Sequence, residues 1–162
     1  MKRIIPICII CAMFIAMESC NRPEYPIEPE LTFKSHKLIV DADTLTAGCV
    51  LIFEFTDGDG DIGSNEDGVT NLFVDYFEIQ NGIPTQVTNP LDSTIINFNS
   101  RIPVITPKGA NKSISGTISD TIHLIGSTSL FDTIMFSIYL EDRAMHRSNT
   151  IESPLILVKR RK

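Results

Sequence analysis

The 162-residue chain has no tryptophan and only three tyrosines and three histidines. Exposed aromatic rings are the usual platforms for stacking sugars, so their scarcity disfavours a carbohydrate-binding module. The histidines, His36, His123 and His146, are scattered, and neither a Gly-x-Ser-x-Gly nor a His-Glu-x-x-His motif accompanies them. The sequence therefore predicts a non-enzymatic protein. A hydrolase that uses the aspartates of residues 57–61 is disfavoured, because such solvated carboxylates lack an apolar pocket that would raise the pKa of one of them.

Cysteine is equally scarce beyond residue 20, where only Cys49 occurs. A single thiol cannot form an intramolecular disulfide, and the lack of a Cys/His cluster argues against structural zinc. Cys49 precedes the apolar run Val50–Phe53, which favours a small buried hydrophobic side chain over a reactive nucleophile.

Positive charge is in short supply, with a net charge of −6. Nucleic-acid binding requires clustered Lys and Arg opposite the phosphates, so the acidic balance argues against a nucleic-acid partner. The one basic cluster, Lys159–Lys162, lies at the end of the sequence. We expect a solvated tail there, with contact to lipid phosphates or another anionic envelope polymer as the alternative.

A long apolar run is also missing. Lys2 and Arg3 precede the apolar segment Ile4–Met17, which is shorter than the roughly 20 residues that a membrane-spanning helix needs. Cations followed by a short apolar run are typical of a secretory signal peptide.

The signal-like segment ends at a cysteine, Cys20. This end resembles the lipobox of bacterial lipoproteins, with Met17 at the aliphatic position and Ser19 at the small one, although Glu18 departs from the pattern. The resemblance implies removal of residues 1–19 and diacylation of the Cys20 thiol. Two acyl chains hold a protein on a membrane stably, whereas one holds it only marginally.

Residues 20–30 contain three prolines and predict an extended tether, followed by one domain over residues 31–162. The domain is rich in short alternating apolar segments, and no amphipathic helix is visible. About seven or eight short strands predict an all-β, antiparallel, immunoglobulin-like β-sandwich, with a small closed β-barrel as the alternative. The clearest strand segments are Leu45–Thr56, Leu72–Ile79, Ile114–Leu124, Thr133–Leu140 and Ser153–Val158.

Asp57, Asp59 and Asp61 alternate with glycines directly after a predicted strand. Carboxylates spaced in this way suit a loop that wraps oxygen ligands around a hard cation such as calcium. An EF-hand is excluded, because Ile62 and Gly68 stand where that loop needs Gly and Glu. A solvated turn without an ion is the alternative, since Asp and Gly are also the usual turn residues.

The last hairpin of an immunoglobulin-like sandwich would turn through residues 141–146, at the same end as the Asp-rich loop. Asp142 or Glu141 would then complete a metal shell. Alternatively, Arg143 would pair with the Asp-rich loop and replace the ion. The sequence leaves both arrangements open.

Together with Cys20, three segments resemble a group of small, uncharacterised outer-membrane lipoproteins of the Bacteroidetes type. The resemblance implies a cell-envelope location and a sandwich fold, and it implies no activity. Acidic residues just after the lipidated cysteine mark surface export in that group, and Asn21–Glu24 matches this pattern poorly. The periplasmic and surface-exposed faces therefore both stay open. The segments are FTDGDGDIG, RIPVITPKGANKSISGTI and DTIMFSIYLEDRAMHRSNT.

These features predict a lipid-anchored binding or structural module of the cell envelope, with calcium as the candidate stabilising ion. Its partners would be the membrane, through diacylated Cys20, and an envelope protein or glycan. A calcium-dependent carbohydrate-binding module of an envelope uptake system is one alternative function. An accessory domain of a hydrolase is the other.

Overall fold

The computed structural model describes residues 24–105, 112–124 and 131–160. The regular elements in these ranges are all β-strands. No helix long and apolar enough to cross a membrane occurs among these residues. The strands are β1 (Glu30–Val40), β2 (Thr46–Asp57), β3 (Leu72–Gln80), β4 (Ile83–Gln86), β5 (Ile114–His123), β6 (Thr133–Leu140), β7 (Ile151–Glu152) and β8 (Ile156–Leu157).

The strands form two antiparallel sheets. One sheet has the order β1-β2-β5, and the other has the order β4-β3-β6, with β7 and β8 both pairing with the far edge of β6. This order reproduces strands A-B-E facing C′-C-F-G, the arrangement of an immunoglobulin-like sandwich. The predicted fold class is confirmed. The alternative of a small closed barrel is wrong, because the described strands divide into two separate sheets.

A period of about two in the burial of the central strands places the core between the sheets. Leu51 and Phe53 of β2 are fully buried, as are Phe136 and Ile138 of β6. Successive side chains of a strand point to opposite faces, so a period of two sends every second residue inward. The predicted burial of Cys49 is also confirmed, and burial raises the pKa of its thiol to about 11.

Four of the five clearest predicted strands match β2, β3, β5 and β6 to within one residue at each end. The sequence patterns did not reveal β1 or β4, since most side chains of both strands are exposed or only half-buried. A polar edge strand carries little hydrophobic periodicity, and its pairing with a neighbour is what defines it.

The predicted final strand, Ser153–Val158, is wrong as a single element. Within this range only Ile156–Leu157 form a strand, β8, whereas β7 (Ile151–Glu152) lies before the predicted start and is separated from β8 by residues 153–155. Proline has no backbone N–H to donate to a ladder, which interrupts regular pairing. Ser153 bridges the gap: its backbone N–H donates to the Phe136 carbonyl, and its Oγ accepts from the Phe136 N–H at 2.9 Å.

The basic C-terminal segment is not simply a solvated tail. The side chain of Arg160 is only 7% exposed and lies 3.1 Å from Glu78 Oε1, inside the sandwich. Lys159 is held to the start of β2, where its backbone N–H donates to Thr46 Oγ1 at 2.9 Å. Of the predicted tail, residues 161–162 lie outside the described residues.

The described part of the predicted tether contacts the domain. Pro29 is buried, and the Tyr25 N–H donates to Ser113 Oγ at 3.2 Å. Strand β1 begins at Glu30, one residue before the predicted start of the domain. The signal segment and Cys20 lie outside the described residues.

Candidate metal site

The sandwich brings the predicted aspartates together at one end. Strand β2 of the first sheet ends at Asp57, and strand β6 of the second sheet is followed directly by residues 141–146. One carboxylate oxygen from each of Asp57, Asp59, Asp61 and Asp142 lies within 4.8 Å of the others. Four oxygen donors from two separate loops thus converge on one point, and this Asp cluster can hold a metal ion.

Glycines shape the loop that carries three of the four carboxylates. Gly60 has a φ angle of 69°, a left-handed conformation that side chains disfavour. This turn lets the Asp61 N–H donate back to Asp57 Oδ2 at 3.0 Å. The loop therefore closes on itself and directs its alternate side chains inward.

Three carboxylate oxygens of the Asp cluster are buried without a hydrogen-bond partner among the described residues: Asp57 Oδ1, Asp59 Oδ1 and Asp61 Oδ1. Asp57 as a whole has no exposed surface. Burying a charged group without a partner costs free energy, and buried carboxylates are normally paired or bound to metals. The three free oxygens lie in one cluster, which is the arrangement that a cation needs.

The electrostatics agree with this geometry. Burial raises the pKa of Asp57 to about 6, and the neighbouring charge of Asp59 adds to the rise. Burial also raises the pKa of Asp61, with further contributions from Asp142 and Asp59. Like charges in a partly desolvated site disfavour ionisation of each other. A bound cation would reverse this effect by stabilising the charged forms.

His146 fixes the orientation of Asp142. The backbone N–H of His146 donates to Asp142 Oδ1 at 2.8 Å, and its ring Nδ1 lies 2.9 Å from Oδ2. This hydrogen bond raises the pKa of the imidazole. Metal-binding carboxylates are commonly oriented by such outer partners. In the sequence, the sign of this pairing was the four-residue spacing between Asp142 and His146. That spacing brings the two side chains together only where a tight turn forms, and the sequence does not specify the turn.

The last hairpin is fastened to the Asp-rich loop mainly through backbone groups. The Ala144 N–H donates to Asp61 Oδ2 at 3.0 Å, and the Arg143 N–H donates to the Asp61 carbonyl at 3.3 Å. The Arg143 guanidinium donates to the carbonyl oxygens of Ile62 and Gly63, at 3.3 and 3.2 Å. The described contacts thus give Arg143 a role in fastening the loop, and its positive charge partly offsets the rise that burial causes in the pKa of Asp61. The alternative in which Arg143 replaces an ion stays a prediction.

Of the two acidic residues proposed to complete the shell, the structure places Asp142 in the Asp cluster. Glu141 instead forms an isolated β-bridge with Arg147. The difference follows from the strand period, since adjacent residues leaving β6 point in opposite directions.

Two phenylalanines of β3, Phe73 and Phe77, are half-buried and alternate with the buried residues of that strand. Phe73 stacks on Tyr139 of the neighbouring strand with ring centroids 4.6 Å apart. Arg147 lies 3.5 Å above the Tyr139 ring. Phe73 and Arg147 thus already stack on Tyr139, which disfavours this ring as a platform for a sugar.

No model of a known protein family matches this sequence. Searches of curated proteins and of solved structures likewise gave no match. The class of protein is defined by the chain's own geometry: an antiparallel β-sandwich that carries a candidate metal site of four aspartates at one end.

Proposed function

We propose that this protein is a lipid-anchored, non-enzymatic binding or structural module of the cell envelope whose Asp cluster binds calcium. The anchoring part of the proposal is supported by the N-terminal sequence, in which a short apolar run ends at Cys20. The calcium part is supported above all by one observation: Asp57 is fully buried, and no group of residues 24–105, 112–124 and 131–160 forms a hydrogen bond with its Oδ1. Binding to an envelope protein or glycan stays a prediction.

The donor set favours calcium over other common ions. All four side chains of the Asp cluster offer oxygen, whereas zinc prefers cysteine and histidine ligands. Magnesium usually keeps several waters and takes only one or two carboxylates. Calcium accepts roughly six to eight oxygen ligands in flexible geometry, so four carboxylates with added carbonyls or waters would satisfy it.

We expect isothermal titration calorimetry of the purified protein to show saturable calcium binding with a single site. Asp59→Ala removes one ligand and should weaken the affinity by about 100-fold, in line with loss of a charged group worth about 3 kcal/mol. Asp67→Ala is the matched control, because the Asp67 side chain is fully exposed and lies outside the cluster. Unchanged affinity in Asp59→Ala, or no binding by the wild type, would contradict the calcium site.

The anchoring prediction concerns Cys20. Cys20→Ala removes the acyl acceptor, and we expect the protein to move from the membrane fraction to the soluble fraction of the cell. Cys49→Ala is the control, since that thiol is buried in the core and cannot carry a lipid. Immunoblots of the separated fractions measure the distribution. Retention of Cys20→Ala in the membrane fraction would show that lipidation is not what holds the protein there.

A further inference from the structure

The end of the tether lies directly against the loop of the Asp cluster. Gly58 sits between Asp57 and Asp59, and a Cβ atom added to it would overlap with the carbonyl oxygens of Tyr25 and Pro26. The tether backbone therefore occupies the space where any other residue at position 58 would place its side chain. Its two carbonyl oxygens face the stretch of loop between two candidate ligands.

Further contacts hold the same segment at this end of the sandwich. The Tyr25 N–H donates to Ser113 Oγ at 3.2 Å, next to the start of β5. Farther along the chain, the Leu31 N–H donates to Asn149 Oδ1 at 2.7 Å, just after the last hairpin. Residues 25–31 thus extend from the Asp-rich loop to the chain that follows the last hairpin, and this loop and this hairpin are the two parts of the fold that supply the Asp cluster.

We propose that cation binding by the Asp cluster and docking of Tyr25–Glu28 are coupled, so that the bound cation holds the anchor segment against the domain. This inference rests on the proposed calcium site. Without a cation, the Tyr25 and Pro26 carbonyl oxygens, the negative ends of their dipoles, lie against a loop of mutually repelling carboxylates, which weakens docking. With a cation, the same groups are attracted to the site, and the loop is held in the closed form that the tether contacts.

The coupling has a consequence for the position of the domain. Cys20 precedes Tyr25 by five residues, which span at most about 18 Å when fully extended. With the tether docked, a lipidated Cys20 would keep the Asp cluster close to the membrane surface. With the tether released, the additional free residues would let the domain move farther from the surface. The cation would therefore set how close to the membrane surface the domain is held.

Gly58→Ala tests the coupling and leaves all four aspartates in place. Gly58 is not among the residues with positive φ, so alanine is acceptable to its backbone and conflicts mainly with the tether. The experiment uses the full-length protein in detergent, with calcium as the probe. Calcium affinity is measured by calorimetry, and docking is measured as hydrogen–deuterium exchange of the backbone amides of residues 24–30.

In the wild type we expect calcium to slow amide exchange in residues 24–30. In Gly58→Ala we expect calcium affinity to fall about tenfold, because linkage requires that loss of docking weakens binding by the same factor that binding strengthens docking. Exchange in the tether of this variant should no longer respond to calcium. Ser113→Ala, which removes the acceptor of the Tyr25 N–H outside the loop, should weaken affinity in the same direction and carries the test if Gly58→Ala fails to fold.

The possible outcomes separate the two proposals. If the wild type binds calcium but exchange in residues 24–30 does not change, the coupling is wrong and the calcium site stands. Wild-type affinity in both Gly58→Ala and Ser113→Ala would also overturn the coupling. If the wild type fails to bind calcium, the proposed calcium site is itself wrong, and the coupling falls with it.

Discussion

Asp57→Asn is expected to stabilise the cation-free protein at pH 7 by about 2 kcal/mol and to abolish its stabilisation by calcium. In the wild type, Asp57 is fully buried and its Oδ1 has no hydrogen-bond partner within the described part of the chain. Asparagine is uncharged, and its amide oxygen can still accept from the Asp61 N–H as Asp57 Oδ2 does. Its NH₂ group would then face the remaining carboxylates as a donor, which replaces a repulsive contact with an attractive one.

The pH dependence has a definite sign. The pKa of Asp57 is raised from 3.8 to about 6 in the folded protein, so the folded state binds more protons than the unfolded state between these values. The free energy of unfolding of the cation-free protein should therefore fall as the pH rises from about 4 to about 6. A shift of this size corresponds to about 3 kcal/mol at most, at roughly 1.4 kcal/mol per pKa unit.

Chemical unfolding at pH 4 and pH 7, in a chelator and in calcium, measures these effects. At a calcium concentration of about 100 times Kd, the wild type should gain about 2.7 kcal/mol, or about 8 °C in melting temperature, and Asp57→Asn should gain almost nothing. Asp67→Asn is the matched control and should behave as the wild type. A variant that is less stable than the wild type in chelator at pH 7 would show that the Asp57 charge is satisfied without an ion.

Arg160→Ala is expected to destabilise the fold by about 3 kcal/mol or more. The guanidinium Nη2 donates to Tyr76 Oη at 2.8 Å and to Glu78 Oε1 at 3.1 Å, and Nε donates to the Phe131 carbonyl at 2.9 Å. The side chains of Arg160 and Glu78 are only 7% and 4% exposed. Removing one member of a buried ion pair leaves the other charge without its counter-ion in a medium of low polarity, which typically costs about 3–5 kcal/mol.

Denaturant unfolding of Arg160→Ala against the wild type measures this loss. Lys159→Ala is the neighbouring control: the Lys159 ammonium makes an exposed hydrogen bond to Thr44 Oγ1, so its removal should cost less than about 0.5 kcal/mol. Adding Glu78→Gln to Arg160→Ala should restore part of the stability, because it removes the stranded charge. Equal, small effects of Arg160→Ala and Lys159→Ala would show that the buried pair does not stabilise the sandwich.

The sequence by itself determined the central strands and the core. Ile134, Phe136, Ile138 and Leu140 alternate with a period of two, and all four are fully buried. A buried strand must place every second side chain on one face, so this information is local and readable. The three alternating aspartates between glycines were equally visible, because ligand type and spacing within one loop are local properties.

Only the tertiary structure decided which distant groups meet. It selected Asp142 over Glu141 for the Asp cluster, and it left Arg143 to contact backbone carbonyls of the Asp-rich loop. It also buried Arg160 against Glu78, although the sequence shows only a basic tail. Each of these contacts joins residues that are at least 80 positions apart in the sequence. Strand register and sheet packing bring such residues together, and no local pattern encodes that arrangement.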